Sequence, residues 1–454
     1  MAAKLTRRIP VHAHSRVTGM VLAMVCACPV LGAERELDQD PPPATAREIE
    51  TPIQRIFPFV LDRPSIFPEI RERMKELSPF FADTQLEVRF RTAYIKKDRS
   101  IGLTSEAWAM GGSIYYQSGW LGNVFAVEAE GFTSQPVHAP DDRGGTLLLA
   151  PVQEGYSALG IANAKLRYNG YVLTAGRQYL DLPYVNRADS RMTPNTFESV
   201  TLAKGDGQLR VSTGYTWNIK RRTSEDFVSM TEAIGLTKDR GLAHLGVVWD
   251  PHEDFHLGVT SGIVPDLFAG IYGELGIGRD LTNGWEARLD GQFTRQWDVG
   301  DDLSGVLFDD AWNFGVRASA SRAGAVLRLG MSITGPDAGV VSPYGTRPSY
   351  VDLMQRSFNL ANEKAYLASV SYDFSRHGLE GLSTIMNFVA GFDGELDGVS
   401  VDRKEVDLTV DYRIKDGSLK NFWLRFRGSW LDEDFADSDG TDFRVILRYD
   451  FPII

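Results

Sequence analysis

The sequence predicts an all-β chain: a transmembrane antiparallel β-barrel of about 18 strands, with short periplasmic turns and long extracellular loops. Three observations carry that expectation. From Gln85 to Phe451, apolar and polar residues alternate in short runs, the period of strands whose successive side chains face opposite ways. No helical pattern separates the runs, and no segment has about 18 consecutive apolar residues, which excludes a helical membrane protein. The connections are of two very unequal lengths, as in a barrel inserted from one side.

The first 33 residues read as an export signal. Lys4, Arg7, Arg8 and Arg16 give a basic start, Val17 to Leu31 is mostly apolar, and Leu31-Gly32-Ala33 is a small-residue cleavage site. Both cysteines, Cys26 and Cys28, lie inside it, so the mature chain has no disulfide framework. A lipidated Cys28 is the weaker alternative, because Val25-Cys26-Ala27 is a poor lipobox and Pro29 follows. Losing the four basic residues takes the formal charge from -12 to about -16, which argues against a nucleic-acid partner.

Residues 34–80 form a Pro-rich periplasmic extension. Pro41-Pro42-Pro43 opens it, and a helix is expected over Pro64 to Leu77, with Ile66, Ile70, Met74 and Leu77 on one face. A short periplasmic extension is the plain reading and a plug inserted into the lumen the sharper one.

The barrel takes residues 81–454. Strands are expected near 85–96, 107–118, 122–133, 158–168, 171–179, 197–204, 208–217, 242–250, 254–262, 270–278, 284–296, 310–320, 324–334, 363–374, 383–392, 403–414, 421–431 and 441–451. Gly119-Trp120-Leu121, Asn169-Gly170, Gly205-Asp206-Gly207 and Pro251-His252-Glu253 supply short turns, whereas Asn218 to Gly241 and Gly335 to Asn362 are long loops. Trp108, Tyr116, Tyr168, Tyr171, Trp249, Trp285, Trp312, Tyr372 and Tyr449 fall near strand ends, as an interfacial girdle requires.

Closure would pair the last strand with the first. Arg89 and Arg91 on strand one would then join Arg444 and Arg448, then Arg425 and Arg427, then Arg413, on one lumen wall. Guanidinium groups keep their charge and bind carboxylates bidentately, so such a ladder suits a path for anions. The plainer reading pairs these arginines with lumen acids such as Glu87, Asp407 and Asp411.

Glu154 to Gln178 (EGYSALGIANAKLRYNGYVLTAGRQ) and Leu182 to Phe197 (LPYVNRADSRMTPNTF), with FFADTQLEVRFRTAYIKKD and DGSLKNFWLRFRGSW, resemble OprD-type outer-membrane porins. The resemblance covers roughly residues 80–454, and the extension is not typical of it. It implies a monomeric channel in the outer membrane for small anionic or zwitterionic carboxylates, without a cofactor. It also implies a loop folded into the lumen, here about Leu180 to Thr196, with Tyr184, Asp189 and Arg191 as constriction candidates. The loop from Gly335 to Asn362 would oppose it with Asp337, Tyr350 and Asp352.

His252-Glu253-Asp254-Phe255-His256 fits the literal zinc-protease pattern, but that chemistry needs both histidines on one helical face. Asp250-Pro251 before it and the alternation after it favour a turn and strand, so no catalytic residue or metal ligand is assigned. A barrel exporting an acidic polysaccharide is the alternative function. A lipid-cleaving barrel enzyme would need a rim Ser/His/Asn set that the sequence does not offer.

Overall fold

The structure, a computed structural model, describes residues 45–46, 66–205, 207–305, 308–417, 419–435 and 438–454. The export-signal reading of residues 1–33 and most of the extension therefore lie outside the described residues. The main sheet holds 19 strands, one of them the two-residue Val228–Ser229 strand. The other eighteen make a continuous wall. They are β1 (Gln85–Arg99), β2 (Thr104–Gln117), β3 (Phe125–His138), β4 (Tyr156–Tyr168), β5 (Tyr171–Gln178) and β6 (Thr196–Lys204). Next come β7 (Leu209–Lys220), β8 (Leu242–His252), β9 (Phe255–Val264), β10 (Phe268–Asp280), β11 (Glu286–Asp298) and β12 (Ala311–Arg322). The ring finishes with β13 (Ala325–Thr334), β14 (Lys364–Asp373), β15 (Leu382–Leu396), β16 (Val399–Arg413), β17 (Trp423–Glu433) and β18 (Gly440–Pro452).

Each strand pairs antiparallel with its chain neighbours, and β18 returns to β1 in register from Glu87↔Pro452 to Arg99↔Gly440. The wall therefore has no edge, the condition a sheet must meet in hydrocarbon. Short turns follow local chemistry. Asn169 and Gly170, at φ 48° and 80°, join β4 to β5 with the positive dihedrals that a two-residue hairpin turn demands. Ala323 and Gly324 do the same between β12 and β13, at φ 56° and 85°.

Parity sorts the faces. Leu289, Phe293, Phe314, Leu327, Leu329, Leu408 and Phe426 are exposed outward, while Asp290, Gln292, Asn313, Arg328 and Thr409 are buried inward. Tyr168, Tyr171, Trp249 and Trp285 are exposed at strand ends, where amphipathic rings meet headgroups. Trp108 is exposed as well, its Nε1 donating to Thr92 Oγ1 at 2.7 Å.

Two long loops fold into the lumen. The 179–195 loop carries a small hairpin, Asp181–Leu182 with Val185–Asn186, and the 335–363 loop meets it. Leu182, Val185 and Tyr344 bury against the inward side chains Phe197, Ile219, Leu242, Val264 and Phe268. A second cluster joins Leu148, Leu149 and Met192 to Ala93, Ile95 and Ile446.

The helix of the extension is shorter than its pattern suggests. It runs Pro68–Met74, because Pro68 is suited to the first helical turn, and Leu77 lies beyond its end. Ile66, Ile70 and Leu77 remain exposed rather than packed. The segment is tied to the rim by Ile66 N–H donating to Pro452 O at 2.7 Å. Farther back, the buried Ala46 donates its N–H to Ser321 Oγ at 2.8 Å, on the inward face of β12.

Thr92 and Leu447 stand opposite each other across the closing seam. In a cysteine-free background, Thr92→Cys with Leu447→Cys should crosslink on oxidation, since antiparallel partners lie within disulfide reach. Shifting the second cysteine to Tyr449 should abolish the crosslink; equal yields from both pairs would refute this register.

Candidate functional site

The seam builds the site. Inward positions of β1, β18, β17 and β16 form rows across four neighbouring strands. In one row Arg91 stands directly beside Arg448, which stands beside Trp423, then Arg413. Two residues along, Ile446 and Ala93 stand beside Arg425, which faces Asp411; the next row sets Arg444 beside Arg427. The structure thus gathers all seven arginines from both chain ends onto one wall. Ile446 and Ala93 interrupt the ladder, and Leu148, Leu149 and Met192 cover that gap.

Exposure divides the seven. Arg91, Arg425, Arg427 and Arg444 are 8%, 1%, 2% and 0% exposed, so they act as buried anchors here. The side chains of Arg89 and Arg448 keep 26% and 21%. Arg413 is half-buried at the end of β16, with its guanidinium 5.5 Å from the Trp423 ring.

Burying a guanidinium is costly unless its charge is matched, and each anchor has such partners. Arg425 grips both oxygens of Asp411 at 2.7 and 2.9 Å and stacks 4.4 Å from the Trp423 ring. Arg444 holds Asp442 at 2.9 and 2.7 Å, and Arg427 donates to Thr409 Oγ1 at 3.2 Å. Arg89 pairs with Glu87 at 3.0 Å and Glu130 at 2.9 Å, and Arg448 with Asp450 at 3.0 Å. Glu87 and Asp411 are partners expected from sequence. Asp407, the carboxylate whose charge answers Arg427, also accepts the Met354 N–H at 3.0 Å, so it pins a loop as well.

Arg91 reaches farthest. It donates to Asp189 Oδ1 and Oδ2 at 2.6 and 3.0 Å, and also to the Arg191 carbonyl, clamping the inward loop to the wall. Burial pushes the Asp189 carboxyl up, but Arg91, with Arg448 and Arg187 behind it, outweighs burial and holds it at about 2. Arg191 is itself buried, its Nε donating to Thr146 O at 2.8 Å. Tyr184, in the left-handed region at φ 68°, packs on the wall beside Tyr272 and hydrogen-bonds Thr294 Oγ1 at 2.5 Å.

The second loop is held as firmly. Glu405 accepts the N–H groups of Gln355 and Arg356 at 2.7 and 2.9 Å. Asp352 is buried, paired with Arg347, and accepts the Phe358 N–H at 3.1 Å. Tyr350 is buried beneath Arg317, 4.4 Å from ring to guanidinium. Asp337 departs from expectation: it is exposed, near the start of its loop and apart from these groups. Proximity in sequence to the loop could not show which of its residues turn inward. Asn186 joins the two loops, donating to Thr346 O at 2.8 Å and accepting from Thr346 N–H at 2.8 Å.

Sequence reasoning missed Asn186, Arg347 and the inward Arg288, Arg317 and Arg328; parity at positions 288, 317 and 328 was the available signal for the last three. The histidine motif resolves as a hairpin. His252 ends β8 and His256 lies on β9, so the two do not share one extended strand. His256 contacts Asp250 and Glu274 at 2.6 and 2.7 Å, whereas His252 accepts the Asp254 N–H at 3.3 Å.

The sequence model of the OprD family of outer membrane porins matches residues 78–453. This chain belongs to the OprD family. As an OprD porin it resides in the bacterial outer membrane, and its family and fold are those of channels. Among solved structures, Pseudomonas aeruginosa OccK9 (OpdG) superimposes with a TM-score of 0.77 at 24% identity, over 83% of this chain and 100% of that one. Pseudomonas aeruginosa OpdK, solved with vanillate, gives 0.74 at 22% identity, over 82% and 100%. A BenF-like porin from Pseudomonas fluorescens Pf-5 gives 0.75 at 19% identity, over 82% and 100%. No curated protein sequence matches this chain.

Asp189→Asn removes the charge that matches buried Arg91 and should destabilise the inward loop by about 3–5 kcal/mol. Open-channel noise should rise as the loop loosens. The Asp189 carboxyl lies below its ordinary range, so its contribution is complete above about pH 4 and lost as pH falls through about 2. The difference in noise between wild type and Asp189→Asn should stay constant from pH 7 to 5; its disappearance by pH 5 would contradict the clamp.

Proposed function

We propose that this porin lets small carboxylate-bearing solutes enter down their gradient, guided by the seam arginines. The cross-strand pair Arg91–Arg448 carries the reading, with Arg89 beside it. Like charges set side by side are unfavourable unless anions answer them, as Asp189 and Asp450 do here. The bidentate seat of Asp189 on Arg91 supports the reading, since a solute carboxylate presents the same group. Arg89 and Arg448 still meet water and would offer a passing carboxylate the N–H groups that Glu87, Glu130 and Asp450 do not take. The 22%-identical porin solved with vanillate accords with this choice of solute.

Selection would fall at the join of the two inward loops, where Tyr184, Asn186, Tyr344 and Thr346 narrow the lumen. A join across the lumen suits small solutes better than a polymer. Buried Arg91, Arg425, Arg427 and Arg444 would hold the wall and loops in shape, and the more open arginines would handle the solute. Residues 1–33 would direct export and be removed near Ala33, and the barrel would work as a monomer.

Liposome-swelling rates test this with benzoate against a neutral sugar of similar size. Arg89→Ala with Arg448→Ala should slow carboxylate entry several-fold and leave the sugar unchanged. An unchanged ratio of the two rates would overturn the guidance role.

A further inference from the structure

A second group of arginines lies on another sector of the lumen. Inward positions of β11, β12 and β13 place Arg288, Ser319 and Arg328 in one cross-strand row, with Asp290 and Arg317 in the next. Neighbouring strands are about 4.8 Å apart, so Arg288 and Arg328 stand on backbones about 10 Å apart with Ser319 between. The inward residues of β14 and β15 that separate this sector from the seam wall carry no charge: Ala365, Leu367, Ser369, Ser371, Ser383, Ile385, Asn387 and Val389 are all buried.

We propose that Arg288, Ser319 and their neighbours form a second carboxylate-binding site, in the half of the lumen nearest the short turns. One carboxylate serves two cations here. Asp290 takes Arg288 Nε at 2.7 Å on one oxygen and Arg317 Nη2 at 2.9 Å on the other. The nearest other carboxylates are engaged elsewhere, Glu286 by Ser321 and Glu274 by His256 and Tyr272, and the atoms that would meet an anion are in place. Arg288 Nη2 and Ser319 Oγ are buried with no hydrogen-bond partner, their residues only 7% and 5% exposed. Each is a donor, and leaving a buried donor without an acceptor is costly. A visiting carboxylate that accepts from either relieves that cost.

The backbone makes room for the arginine. A Cβ at Gly276 would sit 2.3 Å from Arg288 Nη2, so a larger residue at this position of β10 would displace the guanidinium. Arg328 is oriented by hydroxyl groups, its Nη1 and Nη2 donating to Ser369 and Ser371 at 3.2 and 3.3 Å. Arg317 is fixed against Tyr350 of the inward loop. The site therefore lies just past the loop join, where a solute leaving the constriction would next need a partner. The choice of ligand rests on the carboxylate reading; the two buried donors without acceptors do not.

Single-channel currents in planar bilayers, with benzoate added from the short-turn side, test the site. Wild type should show concentration-dependent block. Arg288→Gln should weaken that block about tenfold, the loss expected for a charge-assisted hydrogen bond. Asp290→Asn, which frees both cations, should strengthen it, an opposite sign that a merely structural role would not give. Gly276→Ala keeps the charge but displaces the guanidinium and should also weaken block; with Asp290→Asn it keeps the test alive if Arg288→Gln fails to fold. The same measurements on Arg89→Ala with Arg448→Ala separate the two sites, because Arg288-dependent block should persist even if seam guidance fails. No block in wild type, unchanged block in Arg288→Gln, or weaker block in Asp290→Asn would each overturn the proposal.

Discussion

A sheet in hydrocarbon cannot keep an edge, because each unpaired N–H or C=O there costs several kcal/mol. Everything distinctive in this molecule follows from meeting that condition with one chain. The ring closes only if β18 returns to β1, and the return lays the two ends of the barrel sequence side by side. Arg91 and Arg448, 357 residues apart in sequence order, become direct neighbours through backbone hydrogen bonding alone. The basic wall is a consequence of closure rather than of any local motif.

Closure also sets the next problem. Arginines on the inward face lose water wherever loops cover them, and a desolvated guanidinium needs fixed acceptors. The chain supplies them from two sources. Partners on the wall answer Arg425 with Asp411 and Arg444 with Asp442. Loop acids answer Arg91 with Asp189 and Arg347 with Asp352. Wall acids then take loop amides, as Glu405 does for Gln355 and Arg356. Charge balance thus doubles as loop positioning, and the constriction is held by the same class of contact that a solute would make.

This explains what could be read from the sequence. A period of two is local, so strands, turns and the inward parity of the seven arginines were visible residue by residue, with errors only of a few positions at strand ends. Asn169-Gly170 announced its own turn. Loop interiors obey no such period. Asp189 and Asp352 could be named from the resemblance, but their partners could not, since Arg91 lies 98 residues from Asp189 and nothing local links them. Asp337, on the same loop as Asp352, stays in solvent for a reason invisible in composition: it precedes the stretch that turns inward. The division of the ladder into buried and open members was equally hidden, because Leu148, Leu149 and Met192 come from other loops to cover its gap.

The central claim is that the more open seam arginines, Arg89 and Arg448, receive the carboxylates that cross this wall. Crystals soaked in 4-bromobenzoate and measured at the bromine edge address it directly. The account predicts an anomalous peak in the lumen about one ring length from those two guanidinium groups, lost when both are changed to Ala. Bromine found only away from the seam, or unmoved in the double variant, would contradict it.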